Sequence, residues 1–174
     1  GDPTIAAYIS IHNMVAWMID AYGTDEQRNE WLPGLVAMTD LGAYCLTEPG
    51  AGSDAAAIAT TAIRDGDEFV LTGVKQFISG GGEAAVYVVM ARTGEPGARG
   101  ITAFVVPGDT AGLSFGGPER KMGWNAQPTR QVVFDRVRVP ASAVLGELGR
   151  GFSLAMSGLD GGRLSIAACS LGGA

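Results

Sequence analysis

Histidine and cysteine are almost missing from this chain, which has one His (His12) and two Cys (Cys45 and Cys169). One His excludes a His-built metal centre. Two thiols so far apart argue against a disulfide framework or a metal site, and two buried thiols are expected. Positive charge is scarce too: 12 Lys and Arg stand against 18 Asp and Glu, for a formal net charge of −6. That balance disfavours a generic nucleic-acid surface. No run is apolar enough to span a bilayer, and no basic start precedes an apolar stretch in the manner of a secretory signal. A soluble, intracellular protein is therefore expected.

What is abundant is apolar residue and glycine. The apolar content is 47%, enough for a core, and 27 of the 174 residues are Gly. That is roughly twice the usual ~7%, without a collagen period, and it predicts many turns and short strands. Residues 4–21 read as a helix apolar on most sides, with His12 as a satisfied packing residue. Gly23 stops it, and Thr24-Asp25-Glu26-Gln27 is a capping box opening a second helix to about Met38, with Pro33 as a break or kink. From Leu41 the pattern changes to short β-like runs: 58–64, 68–72, 74–79, 85–91, 101–106, 113–115, 130–134 and 137–139. Asp65-Gly66 marks a hairpin and Gly73 a turn. Such spacing predicts an antiparallel barrel or sandwich. After Gly149 a helical pattern returns, and Gly158, Gly161 and Gly162 within it signal close packing or a local opening beside Arg163.

The stretch Tyr44-Cys45-Leu46-Thr47-Glu48-Pro49-Gly50-Ala51-Gly52-Ser53-Asp54 organises the rest. A strand there breaks at Pro49, Gly50 and Gly52 permit positive φ and close backbone approach, and successive N–H groups can form an anion-binding concavity. A plain strand-to-turn connection capped by Ser or Asp is the other reading. The loop has no G-x-G-x-x-G and no Lys after its last glycine, so it is neither a Rossmann fingerprint nor a Walker loop.

Three ordered blocks resemble the acyl-CoA dehydrogenase family: Tyr44 to Asp54, then Lys75-Gln76-Phe77-Ile78-Ser79-Gly80-Gly81, then Lys121-Met122-Gly123 with Val133-Phe134 and Val137-Arg138-Val139-Pro140. The resemblance implies an α+β fold. An antiparallel β-barrel-like middle domain (41–148) would be flanked by the end of an N-terminal helical domain (1–40) and the start of a C-terminal one (149–174). It implies FAD held by Tyr44, Cys45, Leu46, Thr47, Glu48, Pro49, Gly50, Ala51, Gly52 and Ser53, and by Phe77, Ile78 and Ser79. Acyl-CoA would meet Ser53, Asp160, Gly161, Gly162 and Arg163. Phe77 as a core aromatic, Ser79 as a turn residue and Arg163 as a solvated surface residue are the competing readings.

Phe77, Ser79, the run Gly123-Trp124-Asn125-Ala126-Gln127-Pro128-Thr129-Arg130 and Gly161-Gly162-Arg163-Leu164 are most similar to the branch acting on isobutyryl-CoA in valine breakdown. The implied reaction is FAD-dependent α,β-dehydrogenation to the 2,3-enoyl-CoA, with electron-transferring flavoprotein as acceptor. A homotetramer or dimer is implied, in the cytoplasm of a bacterium or the mitochondrial matrix of a eukaryote. The catalytic Glu is expected beyond Ala174, and none of Glu48, Glu83, Glu119 or Glu147 takes its place. Another short or branched acyl group, or a flavin- or CoA-binding module without chemistry, are the alternatives.

Overall fold

The computed structural model describes residues 2–174. Helix α1 (Pro3–Tyr22) opens where the Asp2 carboxylate accepts the Thr4 N–H at 2.7 Å. Helix α2 (Asp25–Ala37) carries the expected capping box: the Thr24 hydroxyl accepts the Gln27 N–H, and the Gln27 side chain accepts the Thr24 N–H. Pro33 neither breaks nor ends α2. It and Asn29, whose carbonyl loses its helical partner, are both exposed, so water can take the freed acceptor.

The strands are β1 (Gly42–Cys45), β2 (Thr61–Asp65), β3 (Glu68–Ser79), β4 (Val86–Arg92), β5 (Ile101–Pro107), β6 (Leu113–Phe115), β7 (Thr129–Pro140) and β8 (Val144–Leu145). They form one sheet in the order β6-β7-β3-β2-β4-β5-β8, with β1 on β4. The sheet is an open path rather than a closed ring. It is also not purely antiparallel, because β1 and β2 both run parallel to β4.

Two glycine-based expectations change. Gly73 does not turn between two strands. It sits within the continuous β3 beside a bulge of the β3–β7 ladder, where Thr72 faces both Asp135 and Arg136; Arg136 takes φ 53, and the two expected β7 runs join into one. Likewise helix α3 (Gly151–Gly173) runs unbroken through Gly158, Gly161 and Gly162. Gly158 is buried against the Met14 and Met18 side chains of α1, so close packing, not an opening, accounts for it.

Period-two alternation divides the core into two layers. Val86, Val88 and Met90 of β4, with Ile101, Ala103 and Val105 of β5, pack beneath Val15, Met18 and Ile19 of α1 and Leu154 and Ala155 of α3. The intervening Tyr87, Val89, Phe104 and Val106 face the other way, onto Phe69, Leu71, Val132, Phe134 and Val137 of β3 and β7. The sheet thus curls over itself, and Phe69 meets Phe104 edge-on at 5.2 Å between ring centroids. Being covered on both sides, β4 reads as a continuous apolar run rather than an alternating one.

One detail of the topology sets up the site. The chain leaves the edge of β4 at Cys45, opposite Val89, and rejoins the same edge at Thr61, opposite Arg92. Residues 46–60 have no neighbouring strand to follow and leave the sheet as a loop.

Candidate active site

That loop, the end of β3 and the two helices α1 and α3 enclose a cavity of about 460 Å³. Its hydroxyl-bearing wall comes from Tyr44, Thr47, Gly52, Ser53, Asp54, Ala55 and Ala56 on one side and Phe77, Ile78 and Ser79 on the other. Its apolar wall comes from Ile11 and Met14 of α1 and from Phe152, Met156 and Leu159 of α3, with Arg163 also lining the space. Leu46 completes the lining.

The end of β3 reaches the cavity because its ladder to β7 is interrupted between Lys75 and Ile78. Within that gap the Gln76 N–H turns to the loop and donates to the Thr47 carbonyl at 2.8 Å. Phe77 takes φ 59, a left-handed conformation that bulky residues avoid, and the residue is 61% exposed. A large apolar ring held out by a strained backbone is a feature the protein's own core does not require. Beyond it, the Ser79 hydroxyl accepts from the side-chain amide of Gln127, which is buried. Lys121 holds the Gln127 segment, donating to the Trp124 and Gln127 carbonyls and the Thr129 hydroxyl.

Underneath the loop, Glu48 and Lys75 form a buried ion pair, Nζ to Oε1 at 2.7 Å. Lys75 Nζ also donates to the Leu46 carbonyl at 3.1 Å, and the Glu48 carboxylate accepts the Ala59 and Thr60 N–H groups at 2.6 and 3.0 Å. Burial pushes the Glu48 carboxyl up, but Lys75 and the Thr60 and Ala59 amides together outweigh it and hold it below its ordinary value. For Lys75 the balance differs. Burial pushes the ammonium down and Glu48 pulls it up; burial wins, because Lys75 is the more deeply buried partner. Nearby, burial raises the Cys45 thiol to about 12, with Lys75 acting weakly against it, so this thiol stays protonated and inert.

Two polar atoms are buried without a partner at or near this cavity, the Tyr44 hydroxyl and Oε1 of Gln127. Burial also drives the Tyr44 hydroxyl well above the usual phenol range, so it is a neutral donor. Gly50 and Gly52 depart from expectation, since neither adopts positive φ. A Cβ on either would meet nothing within 4 Å, and of the two only Gly52 presents its open backbone to the cavity, Gly50 facing solvent. Orphaned polar atoms, bare loop backbone and an exposed aromatic ring together fit a planar, multiply hydrogen-bonded cofactor such as FAD.

Of the residues singled out in the sequence, the structure brings Tyr44, Leu46, Thr47, Gly52, Ser53, Phe77, Ile78, Ser79 and Arg163 to one cavity. Cys45 lies instead in the core layer between the two halves of the sheet, and Glu48 lies under the loop with Lys75. Pro49, Gly50 and Ala51 belong to the loop, closed by the Glu48–Ala51 bridge, without lining the cavity. Gly161 and Gly162 line a separate cleft with Ser10, Asn13 and Trp17, while Asp160 pairs on the surface with Arg163 at 2.8 Å. Reading the sequence missed the apolar wall of α1 and α3, Lys75 and Gln127. A signal existed only for Lys75, a lysine at an inward position of a β-run that needs a buried partner.

Profiles described as the acyl-CoA dehydrogenase N-terminal and middle domains match residues 1–39 and 43–137 respectively. The chain is 56% identical over 174 residues to the mitochondrial isobutyryl-CoA dehydrogenase of Dictyostelium discoideum, covering 99% of this chain and 42% of that protein. It superposes on butyryl-CoA dehydrogenase from Megasphaera elsdenii with a TM-score of 0.95 at 43% identity, over 98% of this chain and 45% of that one. A glutaryl-CoA dehydrogenase from Mycobacterium smegmatis, solved in complex with FADH2, matches with a TM-score of 0.87 at 40% identity, over 95% of this chain and 42% of that one. The chain spans somewhat under half the length of each.

Proposed function

Because this chain belongs to the acyl-CoA dehydrogenase family, we propose that the protein carrying it oxidises a short branched acyl-CoA, isobutyryl-CoA foremost, to the 2,3-enoyl-CoA with FAD as cofactor. The observation that carries this reading is the meeting of two dissimilar walls in one cavity. Hydroxyls and open backbone from Thr47, Ser53 and Ser79 face an apolar surface built by Ile11, Met14, Phe152, Met156 and Leu159. The first wall suits the polar edge of a flavin, the second an acyl chain.

The residues then take specific roles. Thr47 and Ser79 hydrogen-bond the ring system, the Phe77 ring packs on it, and the Gly50–Ser53 segment lies near phosphate or pantetheine. When bound, the flavin supplies the acceptor for a hydride equivalent. The apolar wall excludes water and positions the acyl group beside it. Arg163, exposed and paired only with Asp160 on its own helix, exchanges that weak surface pairing for a CoA phosphate, which its fork of donors suits. Asp54 is the one carboxylate that lines the cavity among the described residues, and it is exposed beside Ser53. We assign the base for the α-proton to a Glu outside residues 2–174. On the same reading, residues 1–40 close one helical domain, 41–148 form the middle domain and 149–174 open a second helical domain. Electron-transferring flavoprotein takes the electrons, and the protein works as a homo-oligomer.

The test is spectroscopic. The complete protein, purified and reconstituted with FAD, should show a visible flavin band that isobutyryl-CoA bleaches under anaerobic conditions, faster than butyryl- or 2-methylbutyryl-CoA does. Absence of a flavin band refutes the cofactor. A flavin band that no acyl-CoA bleaches reduces the protein to a binding module.

A further inference from the structure

We propose that the buried Lys75–Glu48 pair is a positioning device for the cavity, clamping the Thr47 loop to the end of β3 so that both polar walls keep one separation. This rests on the flavin reading above and deepens it.

The geometry places the pair at the fulcrum of the site. Lys75 is the last residue of β3 in register with β7 before the interruption, and beyond it the strand departs to carry Phe77 and Ser79 to the cavity. Glu48 follows Thr47 directly. Between them the two residues join three stretches of backbone: Leu46 through its carbonyl, Ala59–Thr60 through their amides, and β3, which carries Lys75. Gln76 adds a backbone bond to Thr47 one residue along. Among the described residues no other side chain bonds both the loop and β3.

Stability is a poor explanation for the pair. Two fully desolvated charges roughly break even with apolar residues of the same shape, and a position facing the interior of a sheet is readily filled by Val or Met. Lys75 Nζ donates to Leu46 O and Glu48 Oε1 and has three donor protons. What a charged pair provides here, and an apolar pair does not, is a directional bond across the gap between a loop and a departing strand.

The experiment separates positioning from packing. Lys75→Met alone strands a buried carboxylate and is a poor probe because it can unfold the protein. The informative variant is the double Glu48→Gln, Lys75→Met, which removes both charges and keeps the volume. Three quantities are read on the complete protein: the urea midpoint, the FAD dissociation constant with the flavin absorption spectrum, and amide exchange of residues 46–51 and 76–79 in the apoprotein. A positioning role predicts a folded protein whose midpoint falls only by the cost of one unpaired amide among Ala59 and Thr60 and of the unpaired Leu46 carbonyl. Exchange should be faster in those two segments, and FAD affinity weakened by roughly tenfold or more with a shifted flavin band. Lys75→Arg, which keeps the charge and a donor, should recover part of the affinity. A folded double variant with wild-type exchange, affinity and spectrum overturns the proposal. If the wild-type protein itself takes up no FAD, the flavin reading falls instead, and the exchange arm still decides whether the pair clamps the two walls.

Discussion

Helix α3 offers a paired perturbation in which one chemical change should act with opposite signs. Gly161 is exposed, and a Cβ built there meets nothing within 4 Å. Replacing it by Ala removes the backbone entropy that glycine loses in a helix, so Gly161→Ala should stabilise by about 1 kcal/mol. Gly151 begins the same helix, but its Cβ would lie 2.5 Å from the Thr102 carbonyl carbon, 2.7 Å from the Ala103 nitrogen and 2.8 Å from the Thr102 Cα. Those atoms are backbone of β5, hydrogen-bonded between β4 and β8, and cannot step aside as a side-chain end would. Either α3 lifts from the sheet or the strand distorts, and overpacking of this kind costs about 2 kcal/mol. The helix-propensity gain at the first position offsets little of it, because that turn is only partly helical in its bonding. The two variants should thus differ by roughly 3 kcal/mol in urea unfolding at constant m. Because α3 carries Phe152, Met156 and Leu159 of the cavity wall, Gly151→Ala should also weaken ligand binding, while Gly161→Ala should not. If the two variants agree within about 0.5 kcal/mol, α3 does not sit on Thr102 and Ala103 and the described seat of the cavity wall is refuted.

Other outcomes follow from single residues. His12 is buried with Nε2–H donating to the Leu35 carbonyl at 2.9 Å and Nδ1 accepting the Gly42 N–H at 3.1 Å, so it ties α1 to α2 and β1 as a neutral ring. His12→Ala should cost about 2–4 kcal/mol from the cavity and the unpaired buried amide, read as a lower urea midpoint. Phe77→Gly should raise stability by about 1 kcal/mol, because it relieves the left-handed backbone and little burial is lost, yet it should weaken FAD binding in a fluorescence titration. Glu48 is held below its ordinary value of 4.5. Its contribution to stability is therefore complete above the unfolded value and is lost as pH falls through the lower folded one. Urea midpoints from neutral pH into acid should show that limb in wild type and a flatter limb in Glu48→Gln.

Much of the fold is legible in local chemistry. The capping box at Thr24 sets where α2 begins, and β6 lies at residues 113–115 as the β-pattern predicts. The loop after Tyr44 and the hydroxyl-bearing end of β3 announce a site through residue types that turns and cofactors share. Local signals failed where glycine had two meanings. Gly73 and Gly158 look alike in sequence to turn and helix-breaking glycines, yet one lies beside a bulge, where a Cβ would strike Thr60, and the other seats α3 against α1. Pro33 likewise carries no mark of whether its freed carbonyl faces water.

The sequence by itself determined the three helices, the position of most β-runs, the candidate residues and the family they resemble, because propensity, caps and motif spacing act over a few residues. Only the tertiary structure decided which residues share one cavity. It brought Ile11 and Met14 to Phe152 and Met156 across the whole length of the chain, turned Cys45 into the core, and buried Glu48 on Lys75. The physical reason is that β1 and β2 lie on the same edge of β4. The chain between them must leave the sheet, and no local pattern records which strand, helix or charge will meet it there.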